Sequence, residues 1–201
     1  MELEIRPATV DDLDGLERMC WRNGEAEMAR RIQSAGTCSI IALDDNKPVA
    51  QLYIRAYQRG FRSEHGMLEG DFWADLKGVE PGLILSPDVA MLGCWHVGRT
   101  RDADGKEHEA EQYRGQGLGV ALLKGAIAWL NHDNTRFSAL AAKATDSEAR
   151  SYISFVGALP RVEFEALGFE CLSTFEDPYF LESPENIPVE VEAQHPARFH
   201  L

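Results

Sequence analysis

Arg114-Gly115-Gln116-Gly117-Leu118-Gly119, preceded by Tyr113 and followed by the apolar run VALLKGAIAWL (120–130), is the stretch whose reading decides the fold. Alternating glycines let a backbone approach a ligand closely, with several N–H groups pointing the same way. In the run that follows, Val120, Leu123, Ile127 and Leu130 fall on one helical face, which predicts a helix starting where the glycines stop. A helix N-terminus adds unpaired N–H donors and the positive end of a dipole. The physical product is a cradle for phosphate or pyrophosphate. A helix cap with incidental glycines is the plain alternative, but three alternating glycines each give up helix propensity.

Two familiar phosphate loops are excluded by spacing. A Walker A loop needs Gly-Lys-Ser/Thr, whereas Leu118-Gly119-Val120 follows Gly117. A dinucleotide fingerprint needs GxGxxG directly after a strand. Here the glycines are spaced GxGxG, and Glu109 to Gln112 just before them is polar.

Outward from the loop, residues 89–97, VAMLGCWHV, are nearly continuous in apolar character and predict a buried central strand. Between that strand and the loop lies a polar insertion (99–112) with an Asp104-Gly105 turn signal, readable as a hairpin or as a loop. Upstream, LEIRP (3–7) predicts an opening strand. Thr9 with Asp12 has capping-box spacing, and Leu13, Leu16 and Cys20 form an apolar helix face. Residues 25–34 predict a second helix stopped by Gly36. Residues 37–43 and 49–57 predict a hairpin around the turn 44–48. Residues 58–88 form a long excursion with five glycines between aromatics, including Phe61, Phe72 and Trp73. Downstream, 137–144 predicts another strand, a helical region with aromatics follows, and FEALGFECLSTF (164–175) predicts a closing strand. The division expected is one domain over 1–177 and an extended tail over 178–201, which holds four of the nine prolines.

Composition bounds the function. With 201 residues, 44% hydrophobic and 26% charged, the chain has enough apolar material for a core and the length of about one domain. No run approaches the roughly 20 apolar residues of a membrane span, and the acidic start MELEIRPATVDDLD lacks the features of a signal peptide. A cytoplasmic location with no membrane partner is the expectation. The net charge of −13 repels phosphate backbones, which argues against nucleic-acid binding. It suits a cationic substrate, or simply solubility. Cys20, Cys38, Cys94 and Cys171 are scattered without a CxxC pair, so no zinc site and no disulfide framework is expected.

The loop resembles the Arg/Gln-x-x-Gly-x-Gly/Ala loop of the GNAT superfamily of N-acetyltransferases, with Arg114, Gly117 and Gly119 at the matching places. The opening EIRPATVDDLDGL, the hairpin with its Lys-Pro turn, the central strand ending at Val97 and a late Leu167-Gly168-Phe169 resemble successive parts of the same family, over about residues 3–175. Five elements in the expected order weigh more than one loop. The resemblance implies an α/β protein of the α+β type: a single domain with a central mixed, mostly antiparallel twisted sheet flanked by helices. It implies acetyl-CoA as cosubstrate, and an acetyl group moved to a primary amine of a small molecule or peptide. The alternative is a catalytically silent acyl-CoA-binding module of the same fold. A homodimer is compatible with either. The cofactor-binding residues implied are Trp95 and Val97 on the central strand, and Arg114, Gly115, Gln116, Gly117, Leu118, Gly119 and Val120 at the loop.

Acetyl transfer needs a neutral amine, a polarised carbonyl and a proton for the departing sulfur. His96, in the strand where substrate and cosubstrate would meet, is the candidate base, since an ordinary imidazole titrates near neutral pH. A histidine packed within the sheet is the competing reading. Glu69 and Asp71 are weaker candidates for gripping a cationic amine, and Phe61, Phe72, Trp73 and Trp95 for lining an acceptor pocket. The family's usual acid, a tyrosine before Leu-Gly-Phe, is replaced by Phe164, which has no proton to give. Tyr152 is the candidate replacement, with core packing as its alternative role.

Overall fold

A computed structural model describes residues 3–19, 24–57, 85–102, 104–132, 136–146, 158–176 and 198–200. Its centre is a five-stranded mixed sheet in the order β1-β2-β3-β4-β7. β1 (Glu4–Pro7), β2 (Ser39–Asp44), β3 (Lys47–Ala56) and β4 (Val89–Val97) are antiparallel neighbours, and β7 (Ala139–Ala142) runs parallel to β4. This is the mixed, mostly antiparallel architecture expected.

Local chemistry explains the joints. The β2–β3 turn is narrower than the predicted five residues. Asp44 pairs with Lys47, and Asp45 and Asn46 take φ of 48° and 60°, the mirror-image turn that matches strand twist. Pro48 follows at a bulge in the ladder, one of the few places a sheet tolerates a residue without an N–H. At the first helix, the Asp12 carboxylate accepts from the Thr9 N–H at 2.7 Å and from both Arg6 terminal nitrogens at 2.7 and 2.8 Å. The predicted Thr9–Asp12 box therefore also ties β1 to the start of α1 (Leu13–Met19). Helix α2 (Glu25–Ala35) ends at left-handed Gly36, whose N–H reaches the Ile32 carbonyl at 2.8 Å.

Strand alternation gives the sheet two apolar faces. On one, Ile40, Ala42, Leu52, Ile54 and Leu92 pack against helix α3 (Leu118–His132). On the other, Ile41 and Leu43 pack against Leu13, Leu16 and Met19 of α1 and Met28 of α2. The α3 face differs from the predicted one. Leu118, Leu122, Leu123, Ala126 and Trp129 are buried, while Val120, Ile127 and Leu130 are half-buried. The helix is apolar nearly all round and begins two residues earlier than expected, so the sheet selects the stripe and the period does not.

The polar insertion is a hairpin of β5 (Arg99–Arg101) and β6 (Glu107–Glu109), clasped by Arg99 and Arg101 on Glu107. The predicted closing strand 164–175 is corrected. Phe164 lies in helix α4 (Arg161–Glu165), and only β9 (Thr174–Glu176) is strand. The predicted strand 137–144 divides into β7 and β8 (Ala144–Thr145). β8 and β9 flank β10 (Arg198–His200), from the segment expected as tail, in a second, three-stranded sheet. No helix among the described residues is long and apolar enough to cross a membrane.

Candidate active site

Strand β4 does three things that place the site. It pairs with β7 only from Val89↔Ala139 to Leu92↔Ala142, and among the described strands none pairs with it on that side from there to Val97. Meanwhile β7 gives way to β8, which belongs to the other sheet. The two parallel strands therefore part, leaving one edge of residues 93–97 without the strand that covers Val89–Leu92. Such an edge presents backbone donors and acceptors to any extended partner. Second, the β3–β4 register slips between Leu52↔Trp95 and Tyr53↔Gly93, so Cys94 is an extra residue, a bulge, with φ of 55°. Third, burial falls at the end of the strand: Trp95 is buried, while His96 and Val97 are half-buried.

The glycine loop stands beside this opening. The short helical turn Glu111–Tyr113 leads into it, and the Tyr113 hydroxyl donates to Asp44 Oδ2 at 2.5 Å, pinning the loop to the β2–β3 turn. That carboxylate raises the Tyr113 phenol above its usual range. Gly115 and Gly117 take φ of 69° and 73°, and Gly115, Gln116 and Gly117 are exposed. A Cβ on Gly117 would point into open space, with nothing within 4 Å. The Ala121 N–H bonds the Gly117 carbonyl, which makes Gly117 the residue at which α3 begins. The N–H groups of Leu118, Gly119 and Val120 thus lie in a first turn, where helices have no acceptors of their own. Gly119 has a different task. A Cβ there would lie 2.8 Å from Leu159 Cδ2, so this glycine seats the helix against the core.

The Arg114 guanidinium pairs with Glu109 and Glu111, each at 2.9 Å. Those pairs raise its pKa further and depress that of Glu109. Trp95 bridges the two halves of the site, donating from Nε1 to the Gly119 carbonyl at 3.3 Å and meeting Phe164 edge-on at 5.8 Å. Phe164 is buried and stacks edge-on against Phe169 at 5.3 Å. It is a core wedge.

His96 opens onto the other sheet face, opposite Gln51 of β3, and its Nε2 lies 2.8 Å from Cys94 Sγ. This half-buried thiol–imidazole pair was not foreseen from the sequence, although residues two apart on a strand share a face. Near it, Arg31 of α2 stacks over the Tyr53 ring at 4.2 Å, while its Nε donates to Glu27 at 2.8 Å. Tyr152, Glu69, Asp71, Phe61, Phe72 and Trp73 lie outside the described residues. Among the described residues no group of three or more His, Cys, Asp or Glu is placed to hold a metal ion.

No family model matches the sequence, and no curated protein does. Among solved structures, an acetyltransferase of the GNAT family from Streptococcus pneumoniae aligns over 99% of this chain and 96% of its own, at a TM-score of 0.50 and 15% identity. This chain has the GNAT fold. Also similar are the loading GNATL domain of CurA from Lyngbya majuscula (17% identity, 90% of this chain and 92% of that one, TM-score 0.49) and the ribosomal-protein-S18-alanine N-acetyltransferase from Escherichia coli (18%, 87% and 82%, 0.46).

Proposed function

We propose that this protein is an acetyl-CoA-dependent N-acetyltransferase acting on a primary amine of a small molecule or peptide. The observation that supports this most strongly is the adjacency of two features: the stretch of β4 beyond Leu92, where its ladder with β7 ends, and the open, left-handed glycine loop at the start of α3. The residues present fit a CoA-type ligand. Open space at the Gly117 Cβ position leaves room for phosphates, and the N–H groups of Gly115 to Val120 offer donors and dipole charge to them. The uncovered edge of Trp95 to Val97 offers ladder partners to the amides of a pantetheine arm. Bound there, acetyl-CoA supplies an activated acetyl group.

This chain's own contribution is to orient and to move protons. The Trp95 indole locks β4 to the helix start, so the two halves of the ligand cradle hold a fixed spacing. His96 lies on β4 at the point where the strand has left β7, and is the base for the amine proton. Arg114 braces the loop through Glu109 and Glu111 while the backbone meets the phosphates. The silent acyl-CoA-binding reading has one observation in its favour: Phe164, at the family's usual acid position, is a core wedge without a hydroxyl.

The test is Gly117→Val. A β-branched residue at φ of 73° is strained, and its side chain enters the open cradle. CoA affinity measured by calorimetry should fall by at least about tenfold, while stability drops only by the roughly 1–2 kcal/mol of left-handed strain, because no neighbour is displaced. Unchanged affinity in a folded variant refutes the assignment of the loop.

A further inference from the structure

We propose that Arg31 and Tyr53 form a subsite for a carboxylate of the acceptor, so that the amine acetylated belongs to a molecule of the amino-acid type, with its carboxylate a few bonds from its nitrogen. This rests on the transferase reading above and names its substrate class. The observation that carries it is a pair of orphaned donors on the sheet face that holds His96. Arg31 Nη1 and the Tyr53 hydroxyl are both buried, and among the described residues neither has a hydrogen-bond partner. Buried polar groups nearly always have one, so two such donors at one place call for a physical account. They are at one place, because the Arg31 guanidinium lies over the Tyr53 ring at 4.2 Å.

Register ties the pair to the reacting centre. Tyr53 stands opposite Gly93, the first β4 residue beyond the last β4–β7 pair. Gln51, two residues back along β3, stands opposite His96, and residues two apart on a strand share a face. Two residues of strand span about 7 Å. An amine beside His96 and a carboxylate at Tyr53 and Arg31 fit that span when only a few bonds separate them. Gly93 adds no side chain next to the Tyr53 phenol and is half-buried. Arg31 keeps 10% of its side chain exposed, so the patch is not sealed.

Charge fixes the sign of the ligand. Glu27 is shared between two guanidiniums: one carboxylate oxygen accepts from Arg31 Nε at 2.8 Å, and the other accepts from Arg30. One negative charge therefore faces two positive ones. Arg55, buried two residues further along the same face of β3, adds positive potential. A carboxylate offsets that excess and accepts from a guanidinium edge and a hydroxyl together. An ammonium at the same place would meet like charge at close range.

The experiment compares acceptors that differ in one group. The full chain is given acetyl-CoA with the common amino acids, with the C-terminal amides of the same amino acids, and with phosphoethanolamine, and release of CoA thiol is followed. For the best amino acid, kcat/KM should exceed that of its amide by at least about tenfold. Tyr53→Phe keeps the ring and Arg31→Met keeps an unbranched chain. In each the ratio should fall toward one, through a raised KM for the amino acid, while CoA affinity by calorimetry holds. Arg18→Gln, at an exposed position of α1, should keep the ratio. Calorimetry of the same amino acids on CoA-bound protein reads the subsite without turnover, and the binding should weaken by about three- to tenfold in Tyr53→Phe. Amides or phosphoethanolamine used as well as amino acids, a ratio undisturbed in Tyr53→Phe, or amino acids neither bound nor acetylated by CoA-binding protein would each overturn the subsite and leave the loop assignment standing. Protein that fails to bind CoA overturns both.

Discussion

Gly98 couples the end of β4 to the start of the glycine loop, and replacing it tests whether that coupling sets the site. Its N–H donates to the Val49 carbonyl at 2.8 Å, and its carbonyl accepts from the Ala110 N–H at 2.7 Å. The β5–β6 hairpin therefore leaves and returns at a single residue, with Ala110 immediately before the turn that leads to Arg114. Gly98 has φ of 64°, and a Cβ there would sit 2.5 Å from the Ala110 backbone oxygen. That contact cannot be relieved by turning a side chain, so the returning strand must move. The left-handed conformation costs a residue with a Cβ about 1–2 kcal/mol. Weakening the two hydrogen bonds adds roughly 1–2 kcal/mol. Gly98→Ala should therefore lose about 3 kcal/mol in urea unfolding with an unchanged slope, and lower Tm at roughly 2–4 °C per kcal/mol. The control is Gly105→Ala in the same hairpin, where φ is 76° and nothing lies within 4 Å of the added Cβ. It should cost only about 1 kcal/mol, the conformational part alone. CoA affinity should fall in the first variant and hold in the second. Equal losses within about 0.5 kcal/mol would refute the crowding argument, because additive errors between such sites are of that size.

Two further outcomes follow from the core and the charges. Phe164→Tyr buries a hydroxyl between Trp95 and Phe169, so stability should drop by about 1–3 kcal/mol without a gain in turnover. A faster enzyme would restore this position as the acid site. Burial works to raise the Asp12 carboxyl, but hydrogen bonds from Arg6 and Thr9 outweigh it and hold the group below the usual carboxylate range. A depressed pKa gives stability that is complete above the unfolded value, about 3.9, and is lost as pH falls through the lower folded value. Unfolding measured from pH 7 down to about 2 should show a larger loss of stability in wild type than in Asp12→Asn, in which the remaining depressed carboxylates still titrate. Parallel curves would mean that the Arg6–Asp12 pair contributes nothing specific.

The sequence by itself determined what depends on neighbours within a turn or two of chain. Alternating glycines ahead of an apolar run dictate a left-handed loop and a helix start whatever surrounds them, and Gly115, Gly117 and α3 follow that rule. Thr9 with Asp12 and Gly36 after α2 are equally local, and each was readable in advance; the turn after β2 was readable too, though over 44–48 and not as the tighter Asp45-Asn46 turn. The tertiary structure alone decided which side of α3 is buried, because a helix apolar on most of its surface carries no period to read. It likewise turned Phe164 into a core wedge, since α4 takes its seat from Trp95, some seventy residues earlier in the chain. The contact between Cys94 and His96 belongs to the same class. Their spacing is written in the strand, but the bulge that joins Sγ to Nε2 comes from the register of β4 on β3, and the opening beside them comes from β7 ending its ladder at Leu92. Strand register is set by pairing between distant segments, and that is where one-dimensional information stops.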